Sequence, residues 1–379
     1  MPNILRQFTL SAAENALETA IAVIADQEHE HYSIYEYRDT WKLISNNASH
    51  AKVFGQVGFE YGAHVRGEAY KPGKWPLLSL MIPKIQISLH KDRIDVLGYD
   101  EEETKAICNS IQKHPNLSAA GNAESSCQSI DLRTNLEKYM SRVGKAISDI
   151  RKGLYNNAVL SREISVPFRV DMLATLRRSR LPNTPARTFS FNHMGLQATG
   201  FSPEVLLAVQ DGNASTEVVA GTCTANEADL CASQKKLLGD PKEVMEHLTV
   251  IRGFNGQLGV SCIPGSTRIE DLNDGWDVLA HMLGSVTSPS LLAELRDDIV
   301  QGLEPCLRDL YFGAFVMFDL ELDFFDSALV LRTVFQDEKR QWLRAGAAVT
   351  KNSTPEREFE ETYEKLESIA SHAITDATL

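Results

Sequence analysis

The 379-residue sequence predicts an α+β fold in which antiparallel sheets pack against amphipathic helices. Two patterns point to this class. Segments in which apolar and polar residues alternate are joined by tight turns, which is typical of antiparallel hairpins. In other segments the apolar residues recur every three or four positions, which predicts helices with one buried face. With 43% apolar and 23% charged residues, the composition is that of an ordinary soluble protein.

The first third of the chain predicts one helix, one hairpin and one loop. Ser11 to Gln27 is predicted to be a helix, because Ser11 and Glu14 can form a capping box before the first apolar positions. Alternating apolar residues from Ile85 to Leu97, with a turn in the middle, predict an antiparallel hairpin. A stretch from Asn116 to Ser129, rich in Ser, Ala, Asn and Gly, predicts a surface loop.

The middle of the chain predicts a helix followed by several strands. Apolar positions from Leu136 to Ile150 step by four and three, and Gly153 follows as a helix stop. The turn dipeptide Asp211-Gly212 predicts a hairpin between the last two strands. The predicted strands run over Val159 to Val166, Thr188 to Gln197, Val205 to Gln210 and Ser215 to Ala220.

A helix that begins at Asp240 and Pro241 carries a pair of carboxylates. Asp240 is a suitable N-cap, and proline is well placed at the first helical position. Glu243 and Glu246 are three residues apart, so both lie on one face. Glu243 could also serve only to complete the helix cap.

The C-terminal helix repeats this arrangement. Thr354 caps it, Pro355 opens it, and Glu358, Glu361 and Lys365 share a stripe. Carboxylates from two helices that face each other across a cleft could hold a hard cation such as Mg²⁺. The alternative is that these glutamates belong to solvated helix faces, where such spacing is common.

Net charge and cysteine usage exclude several classes. The formal net charge of −13 repels a phosphate backbone, so nucleic acid is not an expected partner. The six cysteines include no C-x-x-C pair, so neither a zinc site nor a disulfide framework is indicated. We expect no membrane partner and a cytoplasmic location, because no export signal and no long apolar run is present.

Several short motifs occur in one order across the last two hundred residues. They are Val159-Leu160-Ser161-Arg162, Gly200-Phe201-Ser202-Pro203-Glu204, Ala220-Gly221-Thr222, Lys242-Glu243-Val244-Met245-Glu246-His247, Leu331-Arg332-Thr333 and Ser353-Thr354-Pro355-Glu356-Arg357-Glu358-Phe359. Together they resemble the chorismate-utilising enzymes, and in particular the salicylate synthase branch. Gly58-Phe59-Glu60-Tyr61-Gly62 extends a fainter similarity into the N-terminal part.

The resemblance implies two stacked antiparallel sheets flanked by helices, with the active cleft between them. It also implies a single domain over residues 1–379, in which 1–130 match more weakly and 131–379 carry the motifs. The substrate would be chorismate, a cyclohexadiene with a carboxylate and an enolpyruvyl ether. No amidotransferase domain is present in this chain, which argues against the ammonia-using relatives.

Site residues follow from the matched motifs. By resemblance, Glu246 and Glu361 would bind Mg²⁺, with Glu358 reaching it directly or through water. Glu204 matches the general acid that protonates the departing ring hydroxyl, a role that requires a raised pKa at neutral pH. The alternative for Glu204 is an ordinary glutamate at a turn.

The resemblance also assigns contacts to the substrate. Arg332 and Tyr311 match the pair that binds the enolpyruvyl carboxylate, a task suited to the planar guanidinium. Thr222 would line the pocket. Lys365 would either contact a substrate carboxylate or pair with Glu361 four residues earlier. For Arg332 the alternative is a strand arginine whose charge remains in water.

The sequence departs from the family pattern at the residue that activates water. In salicylate synthases a lysine three residues before the Leu-Ser-Arg motif is the general base, and Asn157 stands at that position here. A carboxamide is a poor proton acceptor, and general-base help is typically worth about 10²–10⁴-fold. We therefore expect the chorismate-to-isochorismate step to be badly impaired.

Three further departures affect the pocket. Met282 stands where the family has a histidine before Leu-Gly-Ser, with His281 one position earlier. Ala348 replaces the glycine that follows Arg-Ala-Gly-Ala. The family's loop with a G-x-P-K motif is missing, since only Arg296 to Asp309 separate the predicted helix at Leu292 from Leu310 and Tyr311.

These observations leave three functional hypotheses. The leading one is an enzyme that has lost water addition and performs a base-free lyase or pericyclic step on chorismate, isochorismate or a bulkier metabolite. The second is a non-catalytic protein that binds a chorismate-type ligand. The third is a residual salicylate synthase, in which another group or a positioned water replaces the lysine.

Overall fold

A computed structural model provides the structure of the protein. It describes residues 6–12, 15–26, 31–37, 40–46, 52–113, 128–217, 303–319, 322 and 324–376.

The described strands form two antiparallel sheets. The larger has the order β1-β7-β6-β3-β2-β9-β10-β15-β16-β8, and the smaller has the order β12-β11-β14-β13-β4-β5. The strands are β1 (Arg6–Ser11), β2 (Tyr32–Tyr37), β3 (Thr40–Asn46), β4 (Val53–Val57), β5 (Leu78–Met81), β6 (Pro83–Leu89), β7 (Arg93–Gly98), β8 (Ala158–Ser165), β9 (Arg187–His193), β10 (Leu196–Ser202), β11 (Val205–Gln210), β12 (Asn213–Ser215), β13 (Ala314–Asp319), β14 (Phe324–Leu329), β15 (Thr333–Gln336) and β16 (Gln341–Val349).

The two sheets stack face to face around an aromatic core. Tyr35 and Phe189 from the larger sheet meet Phe54 and Phe315 from the smaller one, and all four are fully buried. The rings of Phe189 and Phe315 are stacked with their centroids 5.0 Å apart. Burial of this apolar surface, rather than any single contact, holds the sheets together.

Helices cover the other face of the larger sheet. The described helices are α1 (Ala16–Asp26), α2 (Tyr61–Val65), α3 (Glu101–Lys113), α4 (Leu136–Arg151), α5 (Met172–Arg180) and α6 (Pro355–Ala370). The apolar faces of α1 and α3 pack on β2, β6 and β7. Those of α4 and α6 pack on β8 and β16. In the described part of the chain, no helix is long and apolar enough to cross a membrane.

This architecture confirms the predicted α+β class with two stacked antiparallel sheets. The hairpin between Ile85 and Leu97 is present as β6 and β7. The helix after Leu136 is present as α4, and Gly153 follows it with a left-handed φ of 78°. The predicted loop lies mostly outside the described residues, as does the predicted helix at Asp240. The strand predicted from Ser215 to Ala220 was placed too late in the chain: β12 spans Asn213–Ser215, residues 216–217 are not in a strand, and the rest lies outside the described residues.

The predicted start of the first helix was wrong. Ser11 is the last residue of β1 and pairs with Arg93 of β7, so it cannot cap a helix. The helix begins at Ala16 instead, and the side chain of Asn15 accepts a hydrogen bond from the backbone N–H of Glu18 at 3.2 Å. Pairing of the edge strand β1 with β7 outweighed the local capping signal here.

The single strand predicted from Thr188 to Gln197 is in fact a hairpin. The chain reverses at Met194 and Gly195, which have φ values of 53° and 76°. Two consecutive left-handed residues are typical of a tight hairpin turn, but methionine is rarely the first of them. The turn therefore lacked its usual sequence signal.

Candidate active cleft

The candidate site lies where β16 extends beyond its pairing with β15. β16 pairs with β8 from Trp342 to Val349, but it pairs with β15 only from Gln341 to Leu343. Among the described strands, none covers this edge of β16 beyond Leu343. The backbone polar groups on the open edge must therefore find other partners.

Gly346 is the centre of this open edge. Its carbonyl oxygen accepts a hydrogen bond from Nζ of Lys365 at 3.0 Å, and its backbone also bonds to the hydroxyl of Tyr311. A Cβ at position 346 would lie 3.0 Å from the carbonyl oxygen of Leu160 and 3.2 Å from the Tyr311 hydroxyl. A side chain here would thus collide with one wall of the cleft.

Tyr311 has a buried hydroxyl that accepts a hydrogen bond from the backbone N–H of Gly346. Burial raises the pKa of its phenol well above the usual value, although Arg308 and Arg344 partly oppose this. The hydroxyl therefore stays protonated at neutral pH. A protonated phenol can donate to a carboxylate, which is the role predicted for Tyr311.

A buried ion network supports this wall of the cleft. Glu304 bonds to Arg308 at 3.0 Å, to Arg344 at 2.8 Å and to the hydroxyl of Ser161 at 2.8 Å. Burial alone would raise the pKa of Glu304, but the two guanidinium groups and the hydrogen bonds lower it to about 2. The network joins β8, β16 and the segment that leads into Tyr311.

Sequence reasoning missed these three charged residues. The segment from Arg296 to Asp309 was interpreted only as the remnant of a missing loop. One signal was available, because Glu304 and Arg308 are opposite charges four residues apart. Nothing in the sequence indicates that Arg344, forty residues later, completes the network.

Arg332 occupies a strained turn between β14 and β15. Its φ of 46° is in the left-handed region, which non-glycine residues rarely adopt. Burial lowers the pKa of its guanidinium, and within the described residues no carboxylate or hydroxyl bonds to this side chain. Arg332 is partly buried rather than fully exposed. Its contact with the enolpyruvyl carboxylate stays a prediction.

Glu204 lies next to the Arg332 turn. Phe201 donates its backbone N–H to the carbonyl oxygen of Arg332 at 3.2 Å, and Leu329 donates to the carbonyl oxygen of Glu204 at 3.3 Å. The side chain of Glu204 is buried. The role of Glu204 as general acid stays a prediction.

Helix α6 brings its acidic stripe to the open edge of β16. Thr354 caps the helix by accepting from the N–H of Arg357 at 3.3 Å, as predicted. Glu358 is fully buried, and Glu361 bonds to Lys365 at 2.7 Å. Lys365 thus pairs with Glu361, one of its two predicted contacts, and at the same time reaches Gly346.

The carboxylates of α6 fit a hard cation in their chemistry. Mg²⁺ prefers oxygen ligands, and a buried carboxylate such as Glu358 is stable only when a donor or cation compensates it. Among the residues that the structure describes, no cluster of three or more possible ligands is present. The third predicted ligand, Glu246, lies outside them, so the metal site stays a prediction.

Val159 and Ala348 pair across β8 and β16 and face the same side of the larger sheet. Ala158 and Val349 pack on α4 and α6, whereas Val159 packs on the core between the sheets. Because side chains alternate along strands, Ala348 points away from the helices, and Asn157 directly precedes β8. The Oδ1 atom of Asn157 is buried without a hydrogen-bond partner.

Three predicted positions cannot be placed. Thr222, Glu246 and Met282 lie outside the described residues. The structure therefore brings together Tyr311, Lys365 and Glu361 around Gly346, with Glu358 on the same helix. It places Glu204 and Arg332 side by side at the ends of neighbouring strands.

A family model covers most of this chain. Residues 6–287 and 294–371 match the family described as chorismate binding enzyme. The chain belongs to this family of chorismate-utilising enzymes.

Individual relatives refine the comparison. The chain is 30% identical over 352 residues to a salicylate synthase from Mycolicibacterium paratuberculosis, covering 85% of this chain and 76% of that protein. It is 27% identical over 265 residues to anthranilate synthase component 1 from Spirochaeta aurantia, covering 62% of this chain and only 54% of that protein. The salicylate synthase resemblance is thus confirmed at the level of sequence.

Solved structures confirm the fold. The menaquinone-specific isochorismate synthase from Escherichia coli has a TM-score of 0.74 at 16% identity, covering 97% of this chain and 94% of that one. Anthranilate synthase component I from Streptococcus pneumoniae has a TM-score of 0.70 at 18% identity, covering 98% and 93% of the two chains.

Proposed function

We propose that the protein is a chorismate-utilising enzyme that has given up water addition and catalyses a base-free loss of pyruvate from an isochorismate-like ring. The observation that carries the proposal is the environment of the Asn157 side chain. Its buried, unpartnered Oδ1 stands where a lysine base is expected by resemblance to salicylate synthases. An amide oxygen accepts hydrogen bonds but does not take up a proton at neutral pH.

The proposed step balances without any external base. The ether bond between the ring and the enolpyruvyl oxygen breaks, and the hydrogen on the neighbouring hydroxyl-bearing ring carbon moves to the methylene carbon of the enolpyruvyl group. The ring becomes the aromatic hydroxybenzoate, and the side chain leaves as pyruvate. Such an intramolecular shift requires only positioning and electrostatic stabilisation.

The residues of the cleft would supply this positioning. Arg332 and Tyr311 would bind the enolpyruvyl carboxylate, one through its planar fork and the other as a neutral donor. Asn157 Oδ1 would accept a hydrogen bond from the ring hydroxyl that isochorismate already carries. Chorismate has no hydroxyl at this carbon, so the substrate must arrive hydroxylated.

Mg²⁺ would be held by Glu358 and Glu361, together with Glu246. When bound, it would neutralise the ring carboxylate. Lys365 would keep the acidic stripe against Gly346, because it bonds to both. A bulkier substrate for a related pericyclic step is a variant of the same proposal, based on the shortened segment before Leu310.

Two alternatives each have one supporting observation. The ion pair between Lys365 and Glu361 compensates a carboxylate without any metal, which favours a protein that binds the ring but does not turn it over. The buried Glu204 favours a residual salicylate synthase, since its predicted role as general acid serves the removal of a ring hydroxyl.

The test is to incubate the purified protein and Mg²⁺ separately with chorismate and with isochorismate, and to follow pyruvate and salicylate against an enzyme-free control. We expect both products from isochorismate and neither from chorismate. Asn157→Lys should acquire turnover of chorismate that the unaltered protein lacks, since it restores a general base. The exposed neighbour provides the matched control, Asn156→Lys, which should gain nothing.

Other outcomes select the alternatives. Salicylate from chorismate with the unaltered protein would contradict the base-free proposal and favour the residual synthase. Saturable binding of isochorismate that depends on Arg332, without any product, would favour the ligand-binding role.

A further inference from the structure

The turn that carries Tyr311 contains two left-handed residues that are not glycine. Asp309 has a φ of 51° and Phe312 has a φ of 63°. Left-handed backbone is costly for a residue with a side chain, although aspartate tolerates it better than a bulky residue does. Such a turn persists only when its surroundings hold it. The contacts of these two residues therefore indicate what fixes Tyr311.

Phe312 connects this turn to the smaller sheet. Its backbone N–H donates to the carbonyl oxygen of Val330 at 3.1 Å, and Val330 donates in return to the carbonyl oxygen of Gly313 at 2.9 Å. The guanidinium carbon of Arg308 lies 5.4 Å from the centroid of the Phe312 ring. These contacts fix the end of the turn that follows Tyr311.

Asp309 fixes the other end of the turn, before Tyr311. Its carbonyl oxygen accepts a hydrogen bond from the backbone N–H of Phe59 at 2.9 Å. Its Oδ1 atom accepts from the backbone N–H of Lys74 at 3.0 Å, and its Oδ2 atom lies 3.5 Å from Nη2 of Arg340. The side chain is only 9% exposed, so both carboxylate oxygens bond to the protein rather than mainly to water.

The segment that binds the Asp309 carboxylate is anchored in the core. Trp75 is 4% exposed, and its ring centroid lies 5.8 Å from those of both Phe335 and Trp342 in the larger sheet. The Oδ1 bond to the backbone just before Trp75 is therefore a bond to a fixed point. Asp309 connects the turn to the larger sheet, as Phe312 connects it to the smaller one.

Gly73 allows the carboxylate to approach this segment. A Cβ at position 73 would overlap with Oδ1 of Asp309. An alanine there must displace the carboxylate from the backbone N–H of Lys74, whereas glycine leaves room for it. The same hydrogen bond can thus be broken from either side, at the aspartate or at the glycine.

We propose that Asp309 is a positioning residue that holds the Tyr311 hydroxyl in place for the enolpyruvyl carboxylate. This inference rests on the proposed function, in which Tyr311 binds that carboxylate. Asp309 acts through the backbone of the turn rather than through a contact of its own with the ring. A displacement of about 1 Å at a binding group can cost about 10²-fold in rate, so this anchor affects turnover.

Three substitutions of Asp309 separate the hydrogen bond from the backbone conformation. Asp309→Asn keeps the Oδ1 acceptor and tolerates left-handed backbone, Asp309→Gly keeps only the backbone freedom, and Asp309→Ala keeps neither. Asp309→Asn should keep the KM for isochorismate within about threefold, since a partly exposed ion pair contributes little. Asp309→Gly should raise KM about tenfold with a smaller change in kcat, because the bond from Tyr311 to the substrate is weakened. Asp309→Ala should also lower the melting temperature.

Gly73→Ala tests the same hydrogen bond from the opposite side. It should raise KM for isochorismate by about as much as Asp309→Gly, because both variants separate Oδ1 from its donor. Lys74→Ala is the matched control, since the bond uses the backbone of Lys74 and its side chain is exposed. This control should keep the KM of the unaltered chain.

Hydrogen exchange measured by NMR provides a readout that needs no substrate. The backbone N–H of Tyr311 donates to the carbonyl oxygen of Arg308 at 2.9 Å, across the turn. Its protection should fall about tenfold in Asp309→Gly and in Gly73→Ala, because the turn opens locally when its anchor is lost. Protection should be unchanged in Asp309→Asn.

Two kinetic results would overturn the proposal. One is an unchanged KM in Asp309→Gly, and the other is an equal KM in Asp309→Asn and Asp309→Gly. If the unaltered chain released no pyruvate from isochorismate, the proposed function would fail instead. Exchange at the Tyr311 amide would then decide, and unchanged protection in Asp309→Gly would show that Asp309 does not hold the turn.

Discussion

Nζ of Lys365 lies 3.0 Å from the carbonyl oxygen of Gly346. This bond connects the acidic stripe of α6 to the open edge of β16, where no neighbouring strand in the described part of the chain supplies a donor. Because Tyr311 bonds to the same glycine, Gly346 connects two walls of the candidate cleft. The backbone of one residue thus fixes the relative positions of a cation and a phenol.

Gly346→Ala should lower the free energy of unfolding by about 1–3 kcal/mol, as expected for overpacking against rigid neighbours. The new methyl group would meet the Leu160 carbonyl oxygen at 3.0 Å, and backbone cannot move away cheaply. Gly144→Ala is the control, because nothing lies within 4 Å of a Cβ there. It should raise stability by about 0.4–1 kcal/mol. Urea denaturation measures the free energy of unfolding of both variants. Equal changes in the two variants would contradict the close contact assigned to position 346.

Arg332→Gly should stabilise the fold by about 1 kcal/mol, because glycine relieves a left-handed strain of about 1–2 kcal/mol at a smaller entropic cost. It should also abolish pyruvate release from isochorismate. Met194→Gly relieves the same kind of strain, at a φ of 53°, on an exposed turn. That control should gain similar stability and keep full activity. If both variants remained active, Arg332 would not bind the substrate.

Glu304→Gln should cost about 3–5 kcal/mol, since it leaves Arg308 and Arg344 buried without their counter-charge. The folded-state pKa of Glu304 is lowered to about 2, from a reference value of 4.5. Its contribution is therefore present above pH 4.5 and is lost as the pH falls toward 2. Glu304→Gln should therefore lack the loss of stability that the unaltered protein shows between pH 4.5 and 2. Glu163→Gln, which breaks a partly exposed pair with Arg340, should cost less than about 1 kcal/mol.

Local patterns were sufficient to predict much of the fold. The stripe from Leu136 to Ile150 and the Thr354-Pro355 cap involve residues close in sequence, and both are present in the structure. The predictions at Ser11 and at the Met194 turn were wrong for a different reason. Strand pairing with β7 and β9 depends on residues far along the chain or on an atypical turn, and neither leaves a local signal.

The same holds for the site: local motifs could be recognised in the sequence, whereas contacts between distant residues could not. Arg332 was identified from a motif, yet its left-handed turn is visible only in three dimensions. Glu304 and Arg344 are forty residues apart and meet because β16 packs against the segment that leads into Tyr311. A pattern that spans such a distance cannot be read from spacing alone.

Mg²⁺ binding offers the most direct test of the acidic stripe. Glu361→Gln and Glu358→Gln should each weaken Mg²⁺ binding by about tenfold or more, because affinity depends on the number of charged oxygen ligands. Glu360→Gln is the control on the same helix, since Glu360 is exposed and pairs with Arg133 at 3.2 Å. It should bind Mg²⁺ like the unaltered chain. Isothermal titration with Mg²⁺ measures all three. If the three variants behaved alike, any bound Mg²⁺ would be attracted by the net charge of −13 rather than by this site. The Lys365 ammonium would then be sufficient to compensate the acidic stripe.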